Sequence, residues 1–144
     1  MKKIIALTLA LVMCLGVVAF AAPVFDTSLD IKVTLDGTQL EFDQKPVTEE
    51  GRTLVPVRKI FETLGATVDY DDATRTVISR KGDLIIVLQI DNNVMFVNSN
   101  PVQLQVPARE VGGRTLVPLR AIGDAMGVDV AWDEATTTAK LFTK

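Results

Sequence analysis

An eight-residue motif occurs twice in this chain, and that duplication constrains the fold more than any other feature. Gly51-Arg52-Thr53-Leu54-Val55-Pro56-Val57-Arg58 returns as Gly113-Arg114-Thr115-Leu116-Val117-Pro118-Leu119-Arg120, identical at seven of eight positions. Downstream, Ile60 matches Ile122, Gly65 matches Gly127, Val68 matches Val130, Tyr70 matches Trp132 and Asp71 matches Asp133. Upstream, Leu35-Asp36-Gly37 aligns with Val97-Asn98-Ser99, and Pro46 with Pro107. The copies cover residues 31–81 and 94–144, bridged by an apolar strand over 84–90.

Each copy reads locally as hairpin, helix, hairpin. Ile31–Leu35 and Gln39–Phe42 alternate apolar and polar residues around Asp36-Gly37, a two-residue turn signal because glycine accepts positive φ. Val94–Val97 and Val102–Val106 flank Asn98-Ser99-Asn100, a weaker turn of the same kind. Pro56 and Pro118 stand where a helix can begin, since the missing N–H is harmless in a first turn. Val57, Ile60, Phe61 and Leu64 then fall on one helical face; Leu119, Ile122 and Met126 repeat it, with Gly123 in place of the phenylalanine. Gly65 and Gly127 follow the last periodic residue, as a left-handed helix end favours. The expected class is α+β: two tandem hairpin–helix–hairpin copies, antiparallel strands wrapped around short helices.

The paired Gly-Arg-Thr-Leu-Val-Pro-x-Arg motifs, each followed by Leu64-Gly65-Ala66 or Met126-Gly127-Val128, lead into Tyr70-Asp71-Asp72-Ala73-Thr74 or Trp132-Asp133-Glu134-Ala135-Thr136. This order of motifs resembles the copper amine oxidase N-terminal-like domain, or stalk domain, of exported Gram-positive proteins. The resemblance spans residues 31–144. It implies antiparallel strands around a helix and a non-catalytic accessory or surface role, without naming a ligand. Gly123 and the Asn98-Ser99-Asn100 turn depart from the pattern.

The amino-terminal segment reads as a signal peptide. Lys2 and Lys3 precede an uncharged apolar run, Ile4–Val18, and Ala19-Phe20-Ala21 supplies a small-residue exit, which predicts cleavage after Ala21. An uncleaved anchor is the competing reading, because about 17 apolar residues approach spanning length. A lipoprotein site at Cys14 is disfavoured by Met13 before it. Residues 22–30 show no periodicity and read as a flexible leader. The remainder carries no cysteine, and losing Lys2 and Lys3 takes the formal charge from −3 to −5. An acidic chain without a basic cluster exerts no long-range attraction on nucleic acid or anionic lipid. The expected product is secreted or held at the cell envelope, with wall polymer or an envelope protein as partner.

Catalytic chemistry finds little to use. The chain has no histidine, which removes Ser/His/Asp and Cys/His arrangements and the imidazole that copper sites draw on, so no cofactor or metal is expected. Asp71 and Asp133 fit turn-opening residues whose side-chain oxygens accept backbone N–H groups; a calcium or acid/base role is the alternative. Arg52, Arg58, Arg114 and Arg120 could grip carboxylates of a wall polymer or uronic sugar. They could equally brace each helix to the aspartate of its own Asp-x-Ala-Thr turn, the reading that a repeated architecture favours. Tyr70 and Trp132 could stack on a sugar, but their alternation with Val68 and Val130 directs them toward the core. Burial of both aromatics would favour a scaffold, and a solvent-facing aromatic beside Arg120 a carbohydrate- or peptidoglycan-binding module.

Overall fold

The computed structural model describes residues 22–144; the expected signal peptide 1–21, with Cys14, lies outside the described residues. Among the described residues, three sheets and two short helices make an α+β fold dominated by strand. The middle sheet is formed by the repeated motif itself. Its order is β10 (Arg109–Val111), β11 (Arg114–Pro118), β4 (Arg52–Pro56), β3 (Val47–Glu49). The two Thr-Leu-Val-Pro segments thus lie side by side and antiparallel, Val55 opposite Val117 and Leu54 opposite Pro118. Alternation sends Val55 and Val117 into the main core, while Leu54 and Leu116 enter a smaller one with Val47 and Val106.

Each motif strand runs directly into a helix: Pro56 into α1 (Val57–Thr63) and Pro118 into α2 (Leu119–Met126). Val57, Ile60, Phe61 and Leu64 are all buried, as the periodicity predicts. α1 packs on β11 as well as β4, and α2 on β4 as well as β11, so each helix is seated partly on the other copy. Gly127 closes α2 in the left-handed region at φ 71°.

The outer sheets also mix the copies. One has the order β12 (Asp129–Asp133), β13 (Thr138–Phe142), β1 (Lys32–Leu35), β2 (Thr38–Gln39). The other runs β5 (Thr67–Asp71), β6 (Thr76–Lys81), β7 (Leu84–Gln89), β8 (Val94–Val97), β9 (Asn100–Gln103). The first hairpin of each copy therefore pairs into the sheet that carries the last hairpin of the other. The all-antiparallel expectation fails at one place: β1 and β13 are parallel, Val33 opposite Ala139. Strands from opposite ends of the chain can pair in parallel because no short connection has to join them. Between β6 and β8 the bridging strand β7 is inserted, and every pairing there is antiparallel.

Strand limits differ from expectation in both first hairpins. β2 stops at Gln39, and β9 covers Asn100–Gln103 rather than 102–106, because Leu40 and Leu104 leave the ladder to enter the core. Asn100 is a strand residue, so the turn is the tight pair Asn98-Ser99, both at positive φ like Asp36-Gly37. Asn98 Oδ1 also accepts the Ile85 N–H at 2.8 Å, which compensates for the missing glycine. In the 22–30 leader, Asp26 exchanges both backbone hydrogen bonds with Thr48 and Phe25 packs on the smaller core.

Gly123 has a structural reason. A Cβ there would lie 2.6 Å from Val130 Cγ2 and 3.2 Å from the Val128 carbonyl oxygen, so α2 packs tightly on the Val130 side chain of β12 and on the backbone just before that strand. Gly123→Ala should therefore lower stability by about 1–3 kcal/mol through overpacking, despite a helix-propensity gain of about 1 kcal/mol. Urea unfolding measures this, and Val130→Ala in the same chain should recover part of the loss. Equal stability of Gly123→Ala and the parent would refute the close approach.

Candidate functional site

Because the copies interlock, the four repeated arginines meet across them. Arg58, on the first turn of α1, shares a groove with Arg114 of the second copy. Arg120, in the matching place on α2, shares a second groove with Arg52 of the first. The first groove encloses 730 Å³ and the second 510 Å³. The contacts repeat as well: Arg114 reaches Asp43 at 3.4 Å, and Arg52 hydrogen-bonds Gln105, each tying a motif strand to the segment after a first hairpin.

The arginine-to-turn brace is not what forms. Arg58 pairs with Glu62 one helical turn on, at 3.3 Å, and donates to the Val68 carbonyl at 3.4 Å. Asp71 lies three residues beyond Val68, about 10 Å along the strand, which leaves the carbonyl as the nearer acceptor. The Arg120 guanidinium has no ion pair among the described residues. The turn aspartates do open their turns. Asp71 Oδ1 accepts the Ala73 N–H at 3.0 Å, and Asp133 Oδ1 accepts those of Ala135 and Thr136 at 3.0 and 3.4 Å. Burial pulls the Asp133 carboxyl upward, but Thr136 and Lys140 outweigh it and hold the group below its ordinary value.

Tyr70 and Trp132 correct a second expectation, since both are exposed, at 38% and 39%. Tyr70 shares the Val68 side of β5, as alternation requires. Val68 packs on the main core, whereas Tyr70, two residues and about 7 Å farther along the strand, stays exposed. The ring therefore forms a wall of the first groove beside Phe42, Val57 and Val77. Trp132 stands on edge strand β12 and is not among the residues that wall the second groove. That groove is lined mainly by apolar side chains, including Met95, Val97 and Leu104.

The charge lining the first groove is acidic on balance. Glu41, Asp43, Glu62, Asp72 and Glu110 stand against Arg58, Lys59 and Arg114. Both arginines have a carboxylate partner there, Glu62 at 3.3 Å for Arg58 and Asp43 at 3.4 Å for Arg114, so each guanidinium is partly engaged within the protein. Neutral hydroxyl-bearing chains or amines suit its acceptors better. Among the described residues there is no group of three or more side chains placed to hold a metal ion.

Sequence reasoning missed the most buried charge. Glu49 is 6% exposed and receives both prongs of Arg109, Nε at 3.0 Å and Nη2 at 2.9 Å. Arg109 Nη1 also reaches Asp91 at 2.8 Å; Arg75 joins Asp91 to Glu110 at 3.5 and 3.1 Å. Hydrogen bonds to Glu49 raise the Arg109 guanidinium above its ordinary value; burial opposes this and Asp91 adds to it. Glu49 and Arg109 occupy β3 and β10, the two edge strands of the middle sheet. Neither residue is in the repeated motif, and Val47, not Glu49, is the register counterpart of Arg109. No periodicity marks such a pair.

The family model described as copper amine oxidase N-terminal domain matches residues 34–141. No curated protein matches the chain significantly. Arg109→Ala should cost about 3 kcal/mol by stranding the buried Glu49 carboxylate, while a Glu49→Leu, Arg109→Met double variant should lose much less. Urea midpoints decide it. A double variant as unstable as the single would show that the pair itself stabilises the fold.

Proposed function

This chain belongs to the copper amine oxidase N-terminal domain family, and from that premise we propose that it is a non-catalytic, exported binding module of the cell envelope that engages wall carbohydrate through the first groove. The N-terminal domain of copper amine oxidase is non-catalytic, and the chain's own lack of histidine accords with a binding role. The reading of the chain as two tandem hairpin–helix–hairpin copies accounts for the paired grooves. Export is supported by the signal-peptide pattern in residues 1–21.

One observation carries the ligand class: an exposed tyrosine ring forms the wall of an open groove lined with carboxylates. Aromatic faces stack on the apolar faces of sugar rings, and carboxylates accept their hydroxyls. The acidic lining further selects uncharged or amine-bearing glycans over uronic or phosphate polymers, which reverses the reading of the arginines as carboxylate grips.

Co-sedimentation with purified peptidoglycan, with and without its anionic polymers, tests this. The exported chain should pellet with the stripped glycan. Tyr70→Ala should weaken binding about tenfold, the equivalent of about 1.4 kcal/mol, and Trp132→Ala should leave it unchanged. Failure to pellet, or binding indifferent to Tyr70, would return the protein to a scaffold role.

A further inference from the structure

The five-stranded sheet has a second apolar side. Its inner side carries Val77, Ile86, Leu88 and Met95 into the main core. On the outer side, cross-strand register places Ile78, Val87, Phe96 and Pro101 in one row across β6 to β9. Ile85 and Val94 lie in the rows on either side. Phe96 is 41% exposed and Ile85 39%. The strand β7 accordingly reads Leu84-Ile85-Ile86-Val87-Leu88, an unbroken apolar run of the kind found where both faces of a strand are covered.

The duplication supplies an internal control. In the other outer sheet, the places equivalent to Ile78, Phe96 and Pro101 hold Lys140, Thr34 and Gln39, which pair in the same row. One architecture therefore tolerates a polar outer face, and the apolar one is not required to build the motif. Exposed apolar patches of this extent mark interaction surfaces.

We infer that this face binds a second copy of the chain, sheet against sheet, about a twofold axis lying along β7. Self-complementarity argues for that occupant. Rotation about β7 sets Val87 and Ile85 over themselves and Ile78 over Phe96. It also sets Asp71 over Gln103, Arg80 over Asn98, and Asp69, which is paired with Arg80 of its own copy, over Pro101, so that no like charges meet. An axis across the strands would instead stack each β5 edge, with Asp69 and Asp71, on its own copy. The chosen axis keeps the strands of the two sheets nearly aligned, the common geometry of sheet sandwiches. Five strands about 4.8 Å apart and three rows of side chains give a face of roughly 500 Å² per copy. About 1,000 Å² in total lies below the range of stable dimers, so the association is reversible.

Sedimentation velocity of the exported chain from roughly 10 to 500 µM reads it, a range that suits an interface of this size. The mass should rise with concentration toward that of a dimer. Phe96→Asp should raise the dissociation constant at least about tenfold while leaving the melting temperature near that of the parent, because the side chain is exposed. Thr34→Asp, at the equivalent place on the other sheet, should change nothing. Gln103→Lys should tighten the dimer by facing Asp71, and Gln103→Glu should weaken it. Monomeric behaviour throughout overturns the inference, whether the face then proves to hold another envelope protein or nothing. A dimer indifferent to Phe96→Asp overturns it as well.

Discussion

Everything in this fold hangs on the pairing of one motif strand with its own repeat. β4 and β11 lie antiparallel with Val55 opposite Val117, and the alternation of the Thr-Leu-Val-Pro sequence assigns their neighbours to two cores on opposite faces. Each strand passes straight into its helix through a proline, so fixing the strand pair fixes the helix pair. Neither copy can bury its apolar residues alone, because α1 rests on β11 and α2 on β4. The arginines follow the strands that carry them, which is how Arg114 comes to stand beside Arg58 and Arg52 beside Arg120.

The departures from symmetry are where the two halves acquire different surfaces. Phe61 fills the space beside α1, whereas Gly123 lets α2 close onto Val130. Leu141 is buried in β13, while the matching Ser79 in β6 is buried with an unpartnered hydroxyl. The inserted β7 widens one outer sheet, and that sheet alone turns an apolar face outward. A tyrosine walls the first groove, but the tryptophan that matches it in sequence lies outside the second. A duplicated fold with unequal grooves can hold a ligand on one side and be free to vary on the other.

Much of the architecture was legible because it rests on local patterns. The helix faces, the glycine helix ends, the Asp-Gly turn and the turn-opening Asp71 and Asp133 all follow from residues within a few positions of each other. What was not legible depends on distant partners. The parallel β1–β13 pair joins opposite ends of the described chain, and the Glu49–Arg109 contact joins two sheet edges outside the repeat. Tyr70 and Trp132 alternate correctly with valines, yet alternation gives the side of a strand and not how far along it the core extends. The arginines divide in a way the motif does not show: Arg58 stays within its own copy, on Glu62 and the Val68 carbonyl, while Arg114 and Arg52 reach across to Asp43 and Gln105.

The central claim is that the halves form one cooperative unit through β4 and β11. Native-state hydrogen exchange on the parent and on Ile122→Val tests it most directly. That substitution removes one buried methylene from the second copy and lowers stability by about 1 kcal/mol. The account predicts that the slowest amides of β4 and β6, in the first copy, lose the same protection free energy as those of β11 and β13. Loss confined to the second copy, with first-copy amides unchanged, would contradict it and show two units that unfold separately.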